Sequence, residues 1–361
     1  MVEDARSVKP SGQAALEPEV GPPPPRARWR RIEELGSLWT LIILLAIVAV
    51  FSIITPGHSF FSATNLRDTL LNSSEILIIA LGGTFVIISA GIDLSVGAVL
   101  TFSSVAAALV MVQLSGTAAE EAAFHFPHEG LGIPIGIAVG LVAGTAFGWV
   151  NGWLIAKLRM PPFIVTLGTT GIAAGGADLL TGGTNVPNVP TDLQTWVGAG
   201  NVFTIIPVPV FITFLATVAC YVLLAHTRFG RHTYAIGSNI EAARLAGIDV
   251  ERHLIYIYTI AGFLSGLAGI VDLARFDTAT IAGHATDNLT AIAAVVIGGT
   301  SLFGGVGTII GTVIGTFIPA TLQNGFVIMG VQPFWSLVTL GVIIILAVFI
   351  DQYRRAERRW R

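Results

Sequence analysis

The feature that most constrains the fold is a series of long apolar runs that fill most of the chain. An α-helix needs about 20 mostly apolar residues to cross the hydrocarbon core of a bilayer. Ten candidate runs occur, at 39–54, 76–90, 96–112, 133–150, 163–180, 209–224, 254–271, 289–303, 307–322 and 334–350. The sequence therefore predicts an all-α integral membrane protein with about ten transmembrane helices.

The composition supports this prediction. Hydrophobic residues make up 53% of the chain, charged residues make up 11%, and the mean hydropathy is +0.78. A soluble domain carries about 25% charged residues. The single cysteine, Cys220, excludes an intrachain disulfide and a cysteine-rich metal site.

The positions of the basic residues predict the orientation, because lysine and arginine in short loops stay in the cytoplasm. With both termini cytoplasmic, ten crossings place every basic residue except Arg67 and Arg275 on that side. The predicted organisation is a disordered cytoplasmic tail with a PPPP run, a membrane domain, a cytoplasmic loop within it and a basic cytoplasmic tail. These parts correspond to 1–37, 38–351, 226–253 and 352–361.

Two glycine-rich stretches interrupt the apolar runs, AGIDLSVG at Ala90–Gly97 and GGTSLFGGVG at Gly298–Gly307. A non-helical backbone is tolerated at membrane depth only where it is buried in protein or lines a wet cavity. Transporters place such broken helices at their pathways. The candidates for a pathway or a helix break are Gly91, Asp93, Ser95, Gly97, Gly298, Gly299, Gly304 and Gly305.

Asp93 admits two interpretations. An acid in or at the edge of a membrane span is costly, which makes Asp93 a candidate for a direct part in transport. It also precedes LSVGAVL as the N-cap of a helix would, and this second interpretation is the favoured one. Asp272 stands three residues before Arg275 and is expected to pair with it.

The longest polar interruption in the second half of the chain is RFGRHTYAIGSNIEAARLAGIDVER, at 228–252. Its middle has the composition of a short helix, with Asn239 or Ser238 as the N-cap and Gly247 as the left-handed stop. Such a helix is too short to be stable alone in water, so it is expected to pack against its own domain and a partner. The residues concerned are Asn239, Glu241, Ala242, Arg244, Leu245 and Gly247.

Catalytic patterns are missing from the sequence. None of the seven histidines lies in an HExxH pattern, and neither of the two lysines, Lys9 and Lys157, fits a phosphate-binding P-loop. No basic and aromatic surface suggests nucleic acid. We therefore expect a transport subunit without a metal site or cofactor, and any ATP hydrolysis on a separate chain.

Three long motifs resemble one family. They are SAGIDLSVGAVL, HTRFGRHTYAIGSNIEAARLAGIDV and DNLTAIAAVVIGGTSLFGGVGTIIGTVIGT, and NGFVIMGV and LAVFIDQYRR follow them. In this order they resemble the membrane permease of bacterial ABC sugar importers of the ribose/xylose/autoinducer-2 type. This type lies within the branched-chain amino acid/ribose permease superfamily.

The resemblance implies a subunit in the inner or plasma membrane of a bacterium that forms the pathway for a monosaccharide. The implied partners are ABC ATPase subunits carrying ATP and Mg, a periplasmic or extracellular sugar-binding protein, and a second permease copy or paralogue. The segment Asn239–Asp249 is then the coupling helix that rests on the ATPase.

Other functions stay open at this stage. The same architecture could import a branched-chain amino acid or a nucleoside. A secondary transporter or channel would need no docking loop and would usually show a buried proton or sodium site, for which Asp93 is the only candidate in the sequence.

Overall fold

A computed structural model describes residues 26–332 and 334–359. Residues 1–25 of the predicted tail lie outside the described residues. The described chain is mostly helical. In its first half lie α1 (Arg26–Ile54), α2 (Ala63–Ile88), α3 (Val96–Ser115), α4 (Ala118–Ala122), α5 (Glu129–Lys157), α6 (Pro162–Thr181) and α7 (Thr191–Leu193). In its second half lie α8 (Val208–His226), α9 (Arg228–Ser238), α10 (Ile240–Leu245), α11 (Val250–Phe276), α12 (Asp287–Ile297), α13 (Ile309–Ile328) and α14 (Phe334–Arg359).

Short elements complete the connections. A 3₁₀ turn, Pro56–Phe61, links α1 to α2, and a π turn, Gln194–Gly198, extends α7. A small hairpin then pairs β1 (Asn201–Val202) antiparallel to β2 (Ile206–Pro207), with Val202 opposite Ile206.

Each of the ten predicted runs overlaps a helix, although the runs 76–90, 289–303 and 307–322 extend into the non-helical segments beside α2, α12 and α13. Six of these helices are long and apolar enough to cross a membrane, namely α2, α3, α5, α6, α8 and α11. The apolar parts of α1, α12 and α14 are shorter, at Leu38–Ile54, Asp287–Ile297 and Phe334–Leu346. In α13, Gln323 and Asn324 interrupt the apolar pattern. The protein is thus a mostly helical, multi-pass membrane protein.

Helix boundaries differ from the prediction at three places. The first helix begins at Arg26, so 26–37 is helical and not part of a disordered tail. At the other end α14 continues to Arg359 through the predicted basic tail. The 226–253 loop holds two helices, α9 and α10, where the sequence suggested one. Helix-favouring arginine, glutamate and leucine next to an existing helix explain the extension of α1.

The core is built around α11, which packs on α2, α3 and α5. Its side chains are buried along most of its length, from Val250 to Ala274. Glycines at helical spacing meet where α11 crosses α5, with Gly144 and Gly148 on α5 facing Gly262 and Gly266 on α11. An added Cβ at Gly144 would lie 2.7 Å from the Cα of Gly266, and one at Gly262 would lie 2.7 Å from the Cα of Gly148. Only glycine permits this approach of the two backbones.

Candidate functional site

Helix α10 is a short capped helix. The side chain of Asn239 accepts hydrogen bonds from the backbone N–H groups of Glu241, at 3.1 Å, and Ala242, at 3.0 Å. Arg244 pairs with Glu241 at 3.1 Å, one turn earlier. Gly247, with a φ of +83°, ends the helix in the left-handed region. Because the cap bonds satisfy otherwise orphaned donors, this six-residue helix has a defined start.

The two faces of α10 differ. Ala243 is buried in a small cluster with Ile236 and Val250, against which Ile248 packs. Leu245, in contrast, is 91% exposed. Helix α10 therefore rests on its own domain through Ala243, and Leu245 points away from it.

The segment between α2 and α3 is not helical. It runs from Ser89 to Ser95, and Gly91, Asp93 and Ser95 within it are buried. The interpretation of Asp93 as the N-cap was wrong, since α3 begins at Val96 with Ser95 in the cap position. The Asp93 carboxylate instead accepts hydrogen bonds from the N–H and hydroxyl of Ser95, at 2.8 and 2.6 Å. Asp93 thus holds a turn that precedes the helix.

A buried polar chain continues from Asp93. The amide of Asn151 in α5 donates to the Ser95 hydroxyl at 3.0 Å, and the Thr169 hydroxyl in α6 donates to the Asn151 carbonyl at 2.5 Å. All four side chains are buried. Sequence reasoning missed Asn151, whose only signal was an amide inside an apolar run.

Helix α6 also satisfies the backbone of this segment. Thr166 donates to the carbonyl of Ile92 at 3.3 Å, and Thr170 donates to the carbonyl of Leu94 at 3.0 Å. Asn288 of α12 donates to the same Leu94 carbonyl at 3.1 Å. The interruption is therefore paired with neighbouring helices, as an irregular backbone at membrane depth must be. Gly97, in the first turn of α3, adjoins this contact, because a Cβ there would lie 3.5 Å from the backbone nitrogen of Asn288.

The second glycine-rich stretch connects α12 to α13. Three of its glycines have a positive φ, namely Gly299 at +91°, Gly304 at +83° and Gly305 at +77°. Gly298 lies against Gly311, and a Cβ there would lie 2.8 Å from the nitrogen of Thr312. The connection needs glycine for its backbone conformation and for its close packing.

The two interruptions and the α9–α10 segment meet at one point, which we call the glycine junction and define by Ile88, Gly237, Gly304 and Gly305. The N–H of Gly305 donates to the carbonyl of Ile88 at 2.8 Å. A Cβ on Gly237 would overlap that carbonyl oxygen and would lie 2.7 Å from the nitrogen of Gly305. The end of α9 is therefore in backbone contact with both interrupted segments.

A tyrosine strengthens the glycine junction. The hydroxyl of Tyr234 in α9 donates to the carbonyl of Gly307 at 2.6 Å. Neither Tyr234 nor Gly237 was singled out from the sequence. Both lie within the polar stretch around α10, but their contacts involve residues far away in the chain.

A group of charged residues lies near the far end of α11. Arg275 pairs with Glu75 of α2 at 2.6 Å, and His284 lies 3.2 Å from Asp272 and 2.7 Å from Asp287. The expected pair of Asp272 with Arg275 was therefore wrong, because the guanidinium turns to α2. We call these five residues the ion cluster.

The histidine of the ion cluster lies in the α11–α12 connection. Burial acts to lower the pKa of His284, whereas its contacts with Asp272 and Asp287 raise it, to about 10. His284 is thus positively charged at neutral pH and offsets part of the surrounding negative charge. Within the described residues no group of three or more histidine, cysteine or acidic side chains could hold a metal ion.

Comparison with known proteins gives consistent matches. The family described as "Branched-chain amino acid transport system / permease component" matches residues 65–348. The ribose import permease of Bacillus subtilis strain 168 is 41% identical over 325 residues, which cover 90% of this chain and 94% of the relative.

Two relatives from Escherichia coli K12 are also similar. Its ribose import permease is 37% identical over 324 residues, covering 88% of this chain and 94% of the relative. Its D-allose transport system permease is 37% identical over 314 residues, covering 87% of this chain and 90% of the relative. No solved structure matches the chain.

Proposed function

This chain belongs to the permease-component family of branched-chain amino acid transport systems, and from that premise we propose that it is the membrane subunit of an ATP-driven importer for a monosaccharide. Relatives that cover most of the chain are import permeases for ribose and D-allose. Their names and their extent of identity support a sugar as the substrate class. The chain forms the pathway and carries out no chemical reaction itself.

The polar groups near the interrupted helices fit a neutral substrate. Apart from Asp93, whose carboxylate accepts hydrogen bonds from Ser95, the polar side chains beside the α2–α3 segment are the neutral hydroxyl and amide groups of Ser95, Asn151 and Thr169. A sugar is recognised by such groups without a ring of charge.

A branched-chain amino acid is the alternative that the family description favours. Its ammonium and carboxylate groups would need charged partners along the pathway. Uptake of labelled ribose or allose, but not of labelled leucine, is expected in cells that carry the complete importer. Uptake of leucine alone would support the alternative.

The proposed topology has ten crossings, with both termini in the cytoplasm of a bacterial cell and the membrane domain in its inner or plasma membrane. The distribution of lysine and arginine supports this orientation. In this arrangement α10 and the glycine junction face the cytoplasm, and the ion cluster lies towards the outside.

The proposed site of the ATPase is the outer face of α10. One observation carries the coupling role: an exposed, capped helix is joined through the glycine junction to both interrupted segments. A displacement of Leu245 by the ATPase would be transmitted to Ile88 and Gly305 through backbone contacts. The backbone of Gly237 lies so close to both residues that no space for a side chain remains. ATP and Mg belong to the partner ATPase, whose hydrolysis would move α10.

The complete importer also needs a second permease copy or paralogue and a sugar-binding protein outside. An open face of α6 supports the second copy. No neighbour lies within 4 Å of the Cβ positions of Gly168, Gly171 and Gly175 among the described residues. Exposed Leu167 and Ile172 flank these glycines. Small residues on a membrane helix allow close packing of another helix.

The coupling role is tested by Leu245→Ala and Arg244→Glu in the full complex. Each variant is expected to insert normally but to lose ATPase during copurification, by about tenfold in affinity, as for a residue central to an interface. Sugar-stimulated ATP hydrolysis should fall in parallel. Leu131→Ala is the matched control, since Leu131 is 59% exposed near the start of α5, away from α10 and from the open face of α6. If both α10 variants kept the full complex yield and the full sugar-stimulated hydrolysis, α10 would not be the ATPase contact but only a solvent-exposed connection between helices.

A further inference from the structure

A cavity of about 460 Å³ lies between α10 and the membrane helices. Its wall combines residues from the segment after α2, the α5–α6 connection, the α9–α10 segment and the first turns of α11. This volume lies within the usual range for small-molecule sites, which is roughly 300 to 1,000 Å³. The cavity borders the glycine junction, because Gly237 also lines it, but its opening lies between α10 and the end of α5.

Tyr258 supplies an unpartnered polar group at this cavity. The side chain is fully buried and lines the wall. Its hydroxyl has no hydrogen-bond partner among the described residues. Gly91, another lining residue, lies directly beside it, because a Cβ there would be 2.5 Å from the hydroxyl. A buried hydroxyl without a partner is unfavourable, and a ligand hydroxyl would satisfy it.

Arg159 supplies a cation at the exposed rim of the cavity, within electrostatic range of Glu251. It follows the last turn of α5 with a φ of 54°, in a position that glycine or asparagine usually occupies. Within residues 26–332 and 334–359 its guanidinium makes no hydrogen bond or ion pair. The other basic side chains nearby are paired, Arg244 with Glu241 and Lys157 with Glu251.

We propose that this cavity binds a phosphorylated sugar, with the phosphate on the Arg159 guanidinium and a sugar hydroxyl at the hydroxyl of Tyr258. A guanidinium matches the geometry of phosphate through paired N–H donors. Ser89, Ser238 and Asn239 add polar groups to the wall. The wall also carries Arg244 and Glu251, whose charges are offset by Glu241 and Lys157. Arg159 therefore remains as the cation for an anion, beside several neutral groups for a polyol.

The inference rests on the proposed function for its biological meaning. An imported monosaccharide is neutral, and a phosphorylation reaction inside the cell would convert it to a charged product. A permease that binds this product responds to its accumulation. Because Asn239, Ile240 and Arg244 also line the cavity, the bound ligand holds α10 against α5 and α11. It therefore favours the present position of α10 and inhibits import.

Binding is tested first on the full-length chain in lipid nanodiscs by calorimetry, with ribose 5-phosphate, ribose and inorganic phosphate as probes. Ribose 5-phosphate should bind more tightly than either other probe. Arg159→Gln should weaken both ribose 5-phosphate and phosphate by about tenfold or more, since it removes a charged hydrogen-bond donor. Tyr258→Phe should weaken only ribose 5-phosphate, by about threefold to tenfold.

The control is Arg252→Gln. This arginine lies in the first turn of α11. It is exposed, it pairs with Asp249 and it does not line the cavity. Its binding of ribose 5-phosphate should equal that of the wild type. Absence of saturable binding, or unchanged affinity in both cavity variants, would overturn the site. Equal affinity for phosphate and ribose 5-phosphate would overturn the sugar part of the proposal.

A second measurement separates this inference from the proposed function. In the complete importer, ribose 5-phosphate should lower sugar-stimulated ATP hydrolysis for the wild type and not for Arg159→Gln. Binding without inhibition would overturn the regulatory role and leave import intact. Binding with no sugar import by the wild-type complex would overturn the proposed function and leave the cavity site standing.

Discussion

The glycine junction and the ion cluster hold two parts of the same helix bundle in different ways. At the glycine junction the backbones of α9, the α2–α3 segment and the α12–α13 segment touch one another, with hydrogen bonds between main-chain atoms. In the ion cluster α2, α11 and the start of α12 are joined by charged side chains.

This difference separates sensitivity to shape from sensitivity to charge. A backbone contact has no flexible side chain that can move aside, so displacement of one segment is passed to the next. An ion cluster fixes its members through charge, and its strength depends on protonation. We therefore expect that larger side chains at the glycine junction impair stability and transport. At the ion cluster we expect stability to depend on the charge of the side chains and on pH.

The largest effect on stability is expected from Arg275→Met. The Glu75–Arg275 pair is mostly buried, with side-chain exposures of 10% and 11%. Removal of the guanidinium leaves the Glu75 carboxylate without its partner, which costs about 3 to 5 kcal/mol for a buried pair. Thermal unfolding in detergent should show a large drop in melting temperature.

The matched control is the double variant Glu75→Gln with Arg275→Met, which removes both charges. It should recover a large part of the lost stability, because the buried charge is gone. If Arg275→Met unfolds at the wild-type temperature, the ion cluster does not stabilise the bundle through charge.

A smaller loss of stability but a strong loss of transport is expected from Gly237→Ala. The added methyl group must displace Ile88 or Gly305, and overpacking of this kind costs about 1 to 3 kcal/mol. The displaced backbones belong to the segments that we assign to coupling. Sugar uptake should therefore fall to less than about a tenth of the wild-type rate, whereas the protein still inserts in the membrane.

Gly130→Ala is the control for this substitution. Gly130 also lies in a helix, near the start of α5, but apart from its own helical backbone no atom of the described residues lies within 4 Å of its Cβ position. Its transport and melting temperature should remain close to those of the wild type. Normal uptake by Gly237→Ala would show that the close contact at the glycine junction is not needed for coupling.

The sequence predicted the parts of this comparison that depend on local patterns. Apolar runs located the six long apolar helices α2, α3, α5, α6, α8 and α11, and the asparagine before a helix-favouring stretch lies at the start of α10. The glycine-rich stretches gave the positions of both interruptions. In each case the signal and the structure lie within a few residues of one another.

The contacts between these parts could not be predicted from local patterns. Asp272 and Arg275 have a spacing that favours a pair, yet Arg275 pairs with Glu75, on another helix. In the same way Gly237 meets Ile88 and Gly305 through tertiary packing. A single sequence shows which residues can form such contacts, but the partners are decided by how helices assemble.

The smallest expected effect is the dependence of stability on pH that arises in the ion cluster. His284 is buried among Asp272, Asp287, Glu75 and Arg275, and its pKa is raised from 6.5 to about 10. The folded state therefore binds the proton more tightly than the unfolded state. The resulting stabilisation is complete below about pH 6.5 and is lost as the pH rises towards 10.

Thermal unfolding at pH 8 and 9 measures this loss, which is at most about 1.4 kcal/mol over this one pH unit. His284→Gln should remove this contribution, because glutamine does not titrate in this range. Gly237→Ala should keep the wild-type pH dependence at its lower stability, since the glycine junction contains no titrating group. If instead Gly237→Ala lost the pH dependence and His284→Gln kept it, the assignment of size sensitivity to the glycine junction and charge sensitivity to the ion cluster would be wrong.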